Sequence, residues 1–144
     1  MATSASTPTT APEKQLTVAI GLVRGAGGDV LLSRRKSGDT HAGRWEFPGG
    51  KLRAGEDAAS ALKRELREEL SLEVTAARHC FTARHDYGGY AVRLEVFAVE
   101  RYQGRARGAE GQELRWARPE ELAAVDLLEG SRPVAEFLQR GGLR

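Results

Sequence analysis

Apolar and polar positions change their period along this chain, and the changes mark its elements. Residues 16–23, LTVAIGLV, form the nearly continuous apolar run expected of a buried strand. The Gly-Ala-Gly-Gly run at residues 25–28 begins a turn into a second strand over residues 29–34. The period then becomes helical. Ala59, Leu62, Leu66 and Leu70 recur at i, i+3/i+4 and form one apolar stripe, the face a helix packs into a core. Residues 73–87 and 90–102 read as extended segments, and Gly88-Gly89 between them is a hairpin turn. Residues 114–117 make a last short strand. Residues 119–125 begin like a helix, with Pro119 in the first turn and Glu120 and Glu121 behind it. Residues 131–140 read as a C-terminal helix with Ser131 as its N-cap.

A chain of 144 residues buries one substantial core, so one domain over residues 16–144 is expected, with neither internal repeats nor a second domain. Residues 1–15, MATSASTPTTAPEKQ, are rich in Ser, Thr, Ala and Pro and predict a disordered tail. They lack the apolar core of a signal peptide and the arginines of a transit peptide, and no apolar run reaches the roughly 20 residues that span a membrane. A cytoplasmic protein with no membrane partner is the expectation. The net charge of +2 is too small to argue for a nucleic-acid polymer as partner. The single cysteine, Cys80, excludes an intrachain disulfide and is expected as a small buried side chain in a strand.

The chemistry concentrates in the central helix. Glu65, Glu68 and Glu69, at i, i+3 and i+4, share one face within a single turn. Like charges so spaced weaken a helix by some tenths of a kcal/mol per pair. The acidic face is centred roughly 110° from the leucine stripe, bordering the buried side, and Lys63 and Arg67 lie on a third side. Two readings fit the helix alone: a solvated, salt-bridged surface, or a face that holds divalent cations. Upstream, the run from Arg44 to Lys51, RWEFPGGK, sets aromatics at alternating positions before a Pro-Gly-Gly turn. Gly49 and Gly50 there let a phosphate or a metal approach the backbone closely.

Taken together, these residues resemble the Nudix box, G-x5-E-x7-R-E-U-x-E-E-x-G-U with U a bulky aliphatic. Gly50, Glu56, Arg64, Glu65, Leu66, Glu68, Glu69 and Leu72 fall in register, and the one departure is Ser71, where the family has glycine. A serine in the left-handed conformation that glycine can adopt at a helix end costs roughly 1–2 kcal/mol. The resemblance implies an α+β fold, the Nudix-type α/β/α sandwich with a central mixed sheet. It implies that Glu65, Glu68 and Glu69 bind Mg²⁺ or Mn²⁺ with the carbonyl of Gly49, that Glu56 supports the cluster, and that Arg64 orients the glutamates by ion pairing. Oxygen donors of this kind suit hard cations, and the implied chemistry is metal-assisted attack of water on a diphosphate linkage.

Within that family, WEFPGGK, Arg34-Arg35, and Trp116 followed by Pro-Glu-Glu-Leu resemble the MutT-like branch over nearly all of residues 16–140. That branch cleaves nucleoside triphosphates to a monophosphate and pyrophosphate, oxidised dGTP among them, and serves nucleotide pool sanitation. The resemblance implies that Arg35 and the backbone around Glu46, Phe47 and Pro48 meet the nucleotide. It implies that Glu110 approaches the metals, with Glu113 a neighbouring candidate. Where guanine-selective relatives read the base with an asparagine before the C-terminal helix, this chain has Ser131. A hydroxyl lacks the paired donor and acceptor of an amide, so a pyrimidine triphosphate pyrophosphohydrolase of the CTP or dCTP type is the alternative. ADP-ribose hydrolases fit less well, because no proline lies between Leu72 and Arg118. Tyr87 and Tyr90 keep a dinucleoside polyphosphate hydrolase in view, although they also read as aromatics flanking a turn. A binding module without catalysis is disfavoured by the complete set of box glutamates. The expected partner is a small-molecule nucleotide, the cofactor Mg²⁺ with Mn²⁺ as substitute, and the assembly a monomer or homodimer.

Overall fold

A computed structural model describes residues 14–143. In chain order these form β1 (Lys14–Val23), β2 (Val30–Arg34), β3 (Trp45–Glu46), β4 (Gly49–Lys51), α1 (Ala58–Leu70), β5 (Glu73–Asp86), β6 (Tyr90–Gln103), β7 (Leu114–Ala117) and α2 (Arg132–Gln139). One mixed sheet has the order β4-β1-β6-β5, in which β1 and β6 run parallel and the outer pairs antiparallel. A second, antiparallel sheet has the order β3-β2-β7. This is the α+β architecture with a mixed sheet that the sequence predicts.

Strand β1 divides the core, because successive side chains of a strand point to opposite faces. Ala19 and Val23 join Leu62, Leu66 and Leu70 of α1 in one apolar cluster. Ile20 and Leu22 join Leu122 and, from α2, Val134 and Leu138 in the other. Each buried leucine contributes on the order of 2 kcal/mol, so the three leucines of α1 fix which face of the helix meets the sheet.

Both ends of α1 are determined locally. Asp57 accepts a hydrogen bond from the amide of Ser60 at 2.8 Å and caps the N-terminus. At the other end Ser71 takes the left-handed conformation (φ 60°, ψ 33°) anticipated for the position. The amides of Ser71 and Leu72 then reach back to the carbonyls of Arg67 and Leu66. The hairpin between β5 and β6 also forms where predicted: the Tyr87 amide donates to the Tyr90 carbonyl at 2.9 Å across Gly88-Gly89.

Several expectations need correction. Ala59 is exposed, and Ala61 is the buried alanine, since the start of α1 packs on the side where Ala58 and Leu52 also contact the core. Lys14 and Gln15, placed in the predicted tail, belong to β1 and pair with Tyr90 and Ala91; residues 1–13 lie outside those described. The segment from Pro119 to Ala124 is a 3₁₀ helix. A second 3₁₀ turn, Glu129–Ser131, runs directly into α2, and Ser131 at the N-cap position makes no side-chain cap bond. Pro133, two residues on, has no amide hydrogen to offer it. Cys80 is only half-buried, at the bulge between His79 and Phe81.

Candidate active site

The turn between β3 and α1 is built on β1. Gly49 and Gly50 pair with Ile20 and Ala19, and the Pro48 carbonyl accepts from the Gly21 amide at 2.9 Å. At Gly49 (φ 151°) a β-carbon would collide with the backbone of Ala19. At Gly50 a β-carbon would collide with the carboxylate of Glu65. Both glycines are therefore required by close approach: one by the strand beneath, the other by the acidic helix beside it.

The carboxylates of α1 lie in different surroundings although they share a helix face. Arg64, whose side chain is 13% exposed, is the hub. It grips Glu56 through Nε–Oε2 at 2.7 Å and Nη2–Oε1 at 2.9 Å. Its Nη1 donates to Glu65 at 2.9 Å and to Glu68 at 3.4 Å, and its Nη2 also reaches the Lys51 carbonyl at 3.1 Å. The Arg64 hydrogen bond, then that from the Arg53 amide, hold Glu56 down to about 2. Glu68, 44% exposed, also faces Arg53 at 3.6 Å.

Glu69 differs from all of these. It is partly buried, and its Oε1 accepts from the Gly49 amide at 3.3 Å. Burial first, and the adjacent negative charge of Glu65 second, push its carboxyl well above the ordinary value of 4.5. Glu65 and Glu69 are close enough to share a proton. Among the described residues no three acidic, histidine or cysteine side chains converge on one point. Arg64 holds Glu65 and Glu68 to itself, at 2.9 and 3.4 Å. Two adjoining carboxylates, one of them partly buried and paired with no cation among the described residues, are nonetheless the oxygen donors a hard divalent cation takes, so the residues present fit such an ion.

Glu69, Gly49 and Gly50 open into a cavity of about 660 Å³. Val18, Ile20, Phe47, Leu94 and Val134 give it an apolar wall, while Arg34, Arg35 and Lys36 supply positive charge. Arg35 is held by both oxygens of Glu46, at 3.0 and 3.1 Å, and by the Thr40 carbonyl at 2.7 Å. Burial raises the Glu46 carboxyl, an effect that Arg35 partly offsets. Arg34 is instead paired with Glu113, the neighbouring candidate to Glu110, at 3.0 Å on the exposed surface. Glu110 lines the cavity and is exposed, its amide donating to Gln112 and its carbonyl accepting from Lys36 at 2.8 Å. Ser131 is buried and lines the cavity as well.

Two features escape a reading of the sequence. Tyr87 is the centre of a run of rings, with His85 at 4.3 Å, His41 at 5.3 Å and Tyr90 stacked at 5.4 Å. Its hydroxyl accepts from the Gly130 amide at 3.0 Å, tying the hairpin to the turn that carries Ser131. Gln112 joins Glu69 to Glu110 through both ends of its amide. Both links are side-chain contacts to the backbone across some forty residues and leave no periodic trace. The Gly-Gly hairpin located Tyr87 but not its partner.

Comparison with known proteins adds an independent line. A family model described as NUDIX domain matches residues 19–137. The CTP pyrophosphohydrolase of Escherichia coli K12 is 35% identical over 109 residues, covering 76% of this chain and 81% of its own. The 8-oxo-dGTP diphosphatase of the same organism is 31% identical over 127 residues, covering 88% and 98%. A structure from work on MutT of Aliivibrio salmonicida and Vibrio cholerae superimposes with a TM-score of 0.74 at 28% identity, covering 85% of this chain and 95% of that one.

Proposed function

The chain belongs to the NUDIX domain family as a MutT-like hydrolase of acid anhydrides, and from that premise we propose that it cleaves a (deoxy)nucleoside triphosphate to the monophosphate and pyrophosphate, with Mg²⁺ as cofactor and Mn²⁺ as its substitute. The observation that carries this reading is the partly buried Glu69 carboxyl, beside Glu65 and the Gly49 amide, facing a cavity that also receives Arg35. Glu65, Glu68, Glu69, Glu110 and the carbonyl of Gly49 would hold the cation. When bound, it supplies neutralisation of phosphate charge and a water made nucleophilic at neutral pH.

The protein's own groups do the rest. Arg64 sets the rotamers of Glu65 and Glu68 and is itself oriented by Glu56. Arg35, its Nε and Nη1 engaged by Thr40 and Glu46, presents Nη2 of a fixed guanidinium to a phosphate oxygen. Phe47 and the backbone at Glu46 and Pro48 shape the wall against the nucleoside. The apolar wall excludes water, which strengthens each of these charge contacts. Residues 16–144 act as one catalytic domain on a small-molecule nucleotide, as a monomer or homodimer, in the nucleotide pool of the cytoplasm. No helix among the described residues is long and apolar enough to cross a membrane.

Oxidised dGTP is one substrate this reading names. CTP or dCTP is the second, favoured by the hydroxyl of Ser131 in the cavity wall, where a guanine reader needs a side-chain amide. The test is pyrophosphate release, with and without Mg²⁺, from a panel of normal, oxidised and methylated triphosphates, ADP-ribose and dinucleotides, for the wild type and Glu69→Gln. Mg²⁺-dependent pyrophosphate from a triphosphate, lost in the variant, supports the assignment. Turnover of ADP-sugars alone, or equal turnover by both proteins, refutes it.

A further inference from the structure

We propose that Gln112 is a positioning residue that fixes Glu110 relative to Glu69, so that both carboxylates address one cation; this rests on the reading that those two glutamates take a divalent metal. The last carbonyls of an α-helix have no partner within the helix. At the end of α1 they are taken by the following loop: the Arg107 amide donates to the Leu70 carbonyl at 3.1 Å, and the Ala109 amide to the Glu69 carbonyl at 2.9 Å. Gln112 completes this arrangement with its side chain. Its Nε2 donates to the same Glu69 carbonyl at 2.9 Å, while its Oε1 accepts from the Glu110 amide at 3.0 Å.

One planar amide thus bridges the backbones of the two residues, using its donor towards one and its acceptor towards the other. A side-chain amide offers both functions in one rigid group, whereas a carboxylate would set an acceptor against the Glu69 carbonyl. From the opposite side Lys36 Nζ donates to the Glu110 carbonyl at 2.8 Å. Glu110 is therefore held at both its amide and its carbonyl, although the residue is exposed. All four residues line the same cavity. Such supporting contacts typically govern metal affinity by a factor of 10 to 100.

The experiment is Mn²⁺ binding to the full-length, nucleotide-free protein, followed by electron paramagnetic resonance, for wild type, Gln112→Ala, Gln112→Met, Glu110→Ala and the Glu110→Ala/Gln112→Ala pair. Gln112→Met keeps the side-chain volume while removing both hydrogen bonds, and serves if the alanine variant folds poorly. The expected result is Mn²⁺ affinity lowered about tenfold in either Gln112 variant, an unchanged KM for nucleotide, and no further loss when Gln112→Ala is added to Glu110→Ala. Wild-type affinity in the Gln112 variants, additive losses in the pair, or an absence of Mn²⁺ binding by the wild type would each overturn the proposal. A wild type that binds Mn²⁺ in this pattern but hydrolyses no triphosphate would leave the role of Gln112 standing and remove only the assigned reaction.

Discussion

Arg64 and Glu56 meet fork to fork, with Nε and Nη2 of the one on the two oxygens of the other at 2.7 and 2.9 Å. The remaining guanidinium nitrogen is thereby aimed at Glu65 and Glu68. Glu56 is eight residues upstream and contributes as the part that fixes the angle of the arginine.

Arg64→Lys keeps the charge but loses the fork, since an ammonium cannot bind both oxygens of Glu56 and still address Glu65 in one plane. Activity should fall roughly 10- to 100-fold, with more Mg²⁺ needed for half-maximal rate. Titration of pyrophosphate release against Mg²⁺ checks this; an unchanged titration curve would contradict it.

Glu69→Gln should stabilise the nucleotide-free protein while abolishing hydrolysis. The folded-state carboxyl is raised above its ordinary value of 4.5, chiefly by burial. A raised folded value favours folding below the unfolded value, and that contribution is lost as pH rises towards the folded value. The wild type therefore loses stability on going from pH 5 to pH 8 by an amount that the variant lacks. Melting curves at the two pH values should converge at the acid end and separate at the alkaline end, by roughly 2–4 °C per kcal/mol.

Glu95 predicts the opposite slope. The Thr82 hydroxyl at 2.6 Å, His79 at 2.8 Å and Arg93 at 2.9 Å surround a carboxylate that is 13% exposed, and its carboxyl is lowered, first by the Thr82 hydrogen bond. Its contribution is present above the ordinary 4.5 and lost as pH falls through the lower folded value. Glu95→Gln should cost about 1–2 kcal/mol in urea unfolding at neutral pH, with the difference shrinking below pH 4. A constant difference at all pH values would rule out the ionic account.

Ser71→Gly removes the strain of a left-handed residue that carries a side chain. The variant should gain about 1 kcal/mol, read as a higher urea midpoint with an unchanged slope and unchanged kinetics. A neutral result would mean that the backbone there relaxes at no cost.

Much of this structure could be read from the chain because its signals are local. The leucine stripe of α1, the Gly-Gly hairpin and the apolar run of β1 each depend on neighbours within a few residues, and each appears where expected. Ala59 fails because a wheel gives the direction of a side chain, not whether anything lies opposite it. Ser131 fails as a cap because the preceding 3₁₀ turn already has helical backbone angles. In the candidate site, residue types and register singled out Glu56, Arg64 and the three glutamates, and the structure brings Glu56, Glu65 and Glu68 together on Arg64. Periodicity did not distinguish partly buried Glu69 from exposed Glu68; the Gly49 turn reaches one and not the other. Gln112 and Tyr87 were out of reach, because their partners are set by how distant loops close.

The two sides of the cavity are built to different standards. Its floor, the Gly49–Lys51 strand on β1, is held by a sheet ladder and by the buried residues of both core clusters. Its rim at Lys36 rests on exposed contacts, the hydrogen bond from Lys36 to the Glu110 carbonyl and, beside it, the Arg34–Glu113 pair, whose backbones are also bonded at 3.0 Å. Local opening is drawn from regions with few buried contacts. Amide hydrogens of the Gly49–Lys51 strand should therefore exchange more slowly than those of the loop that carries Lys36.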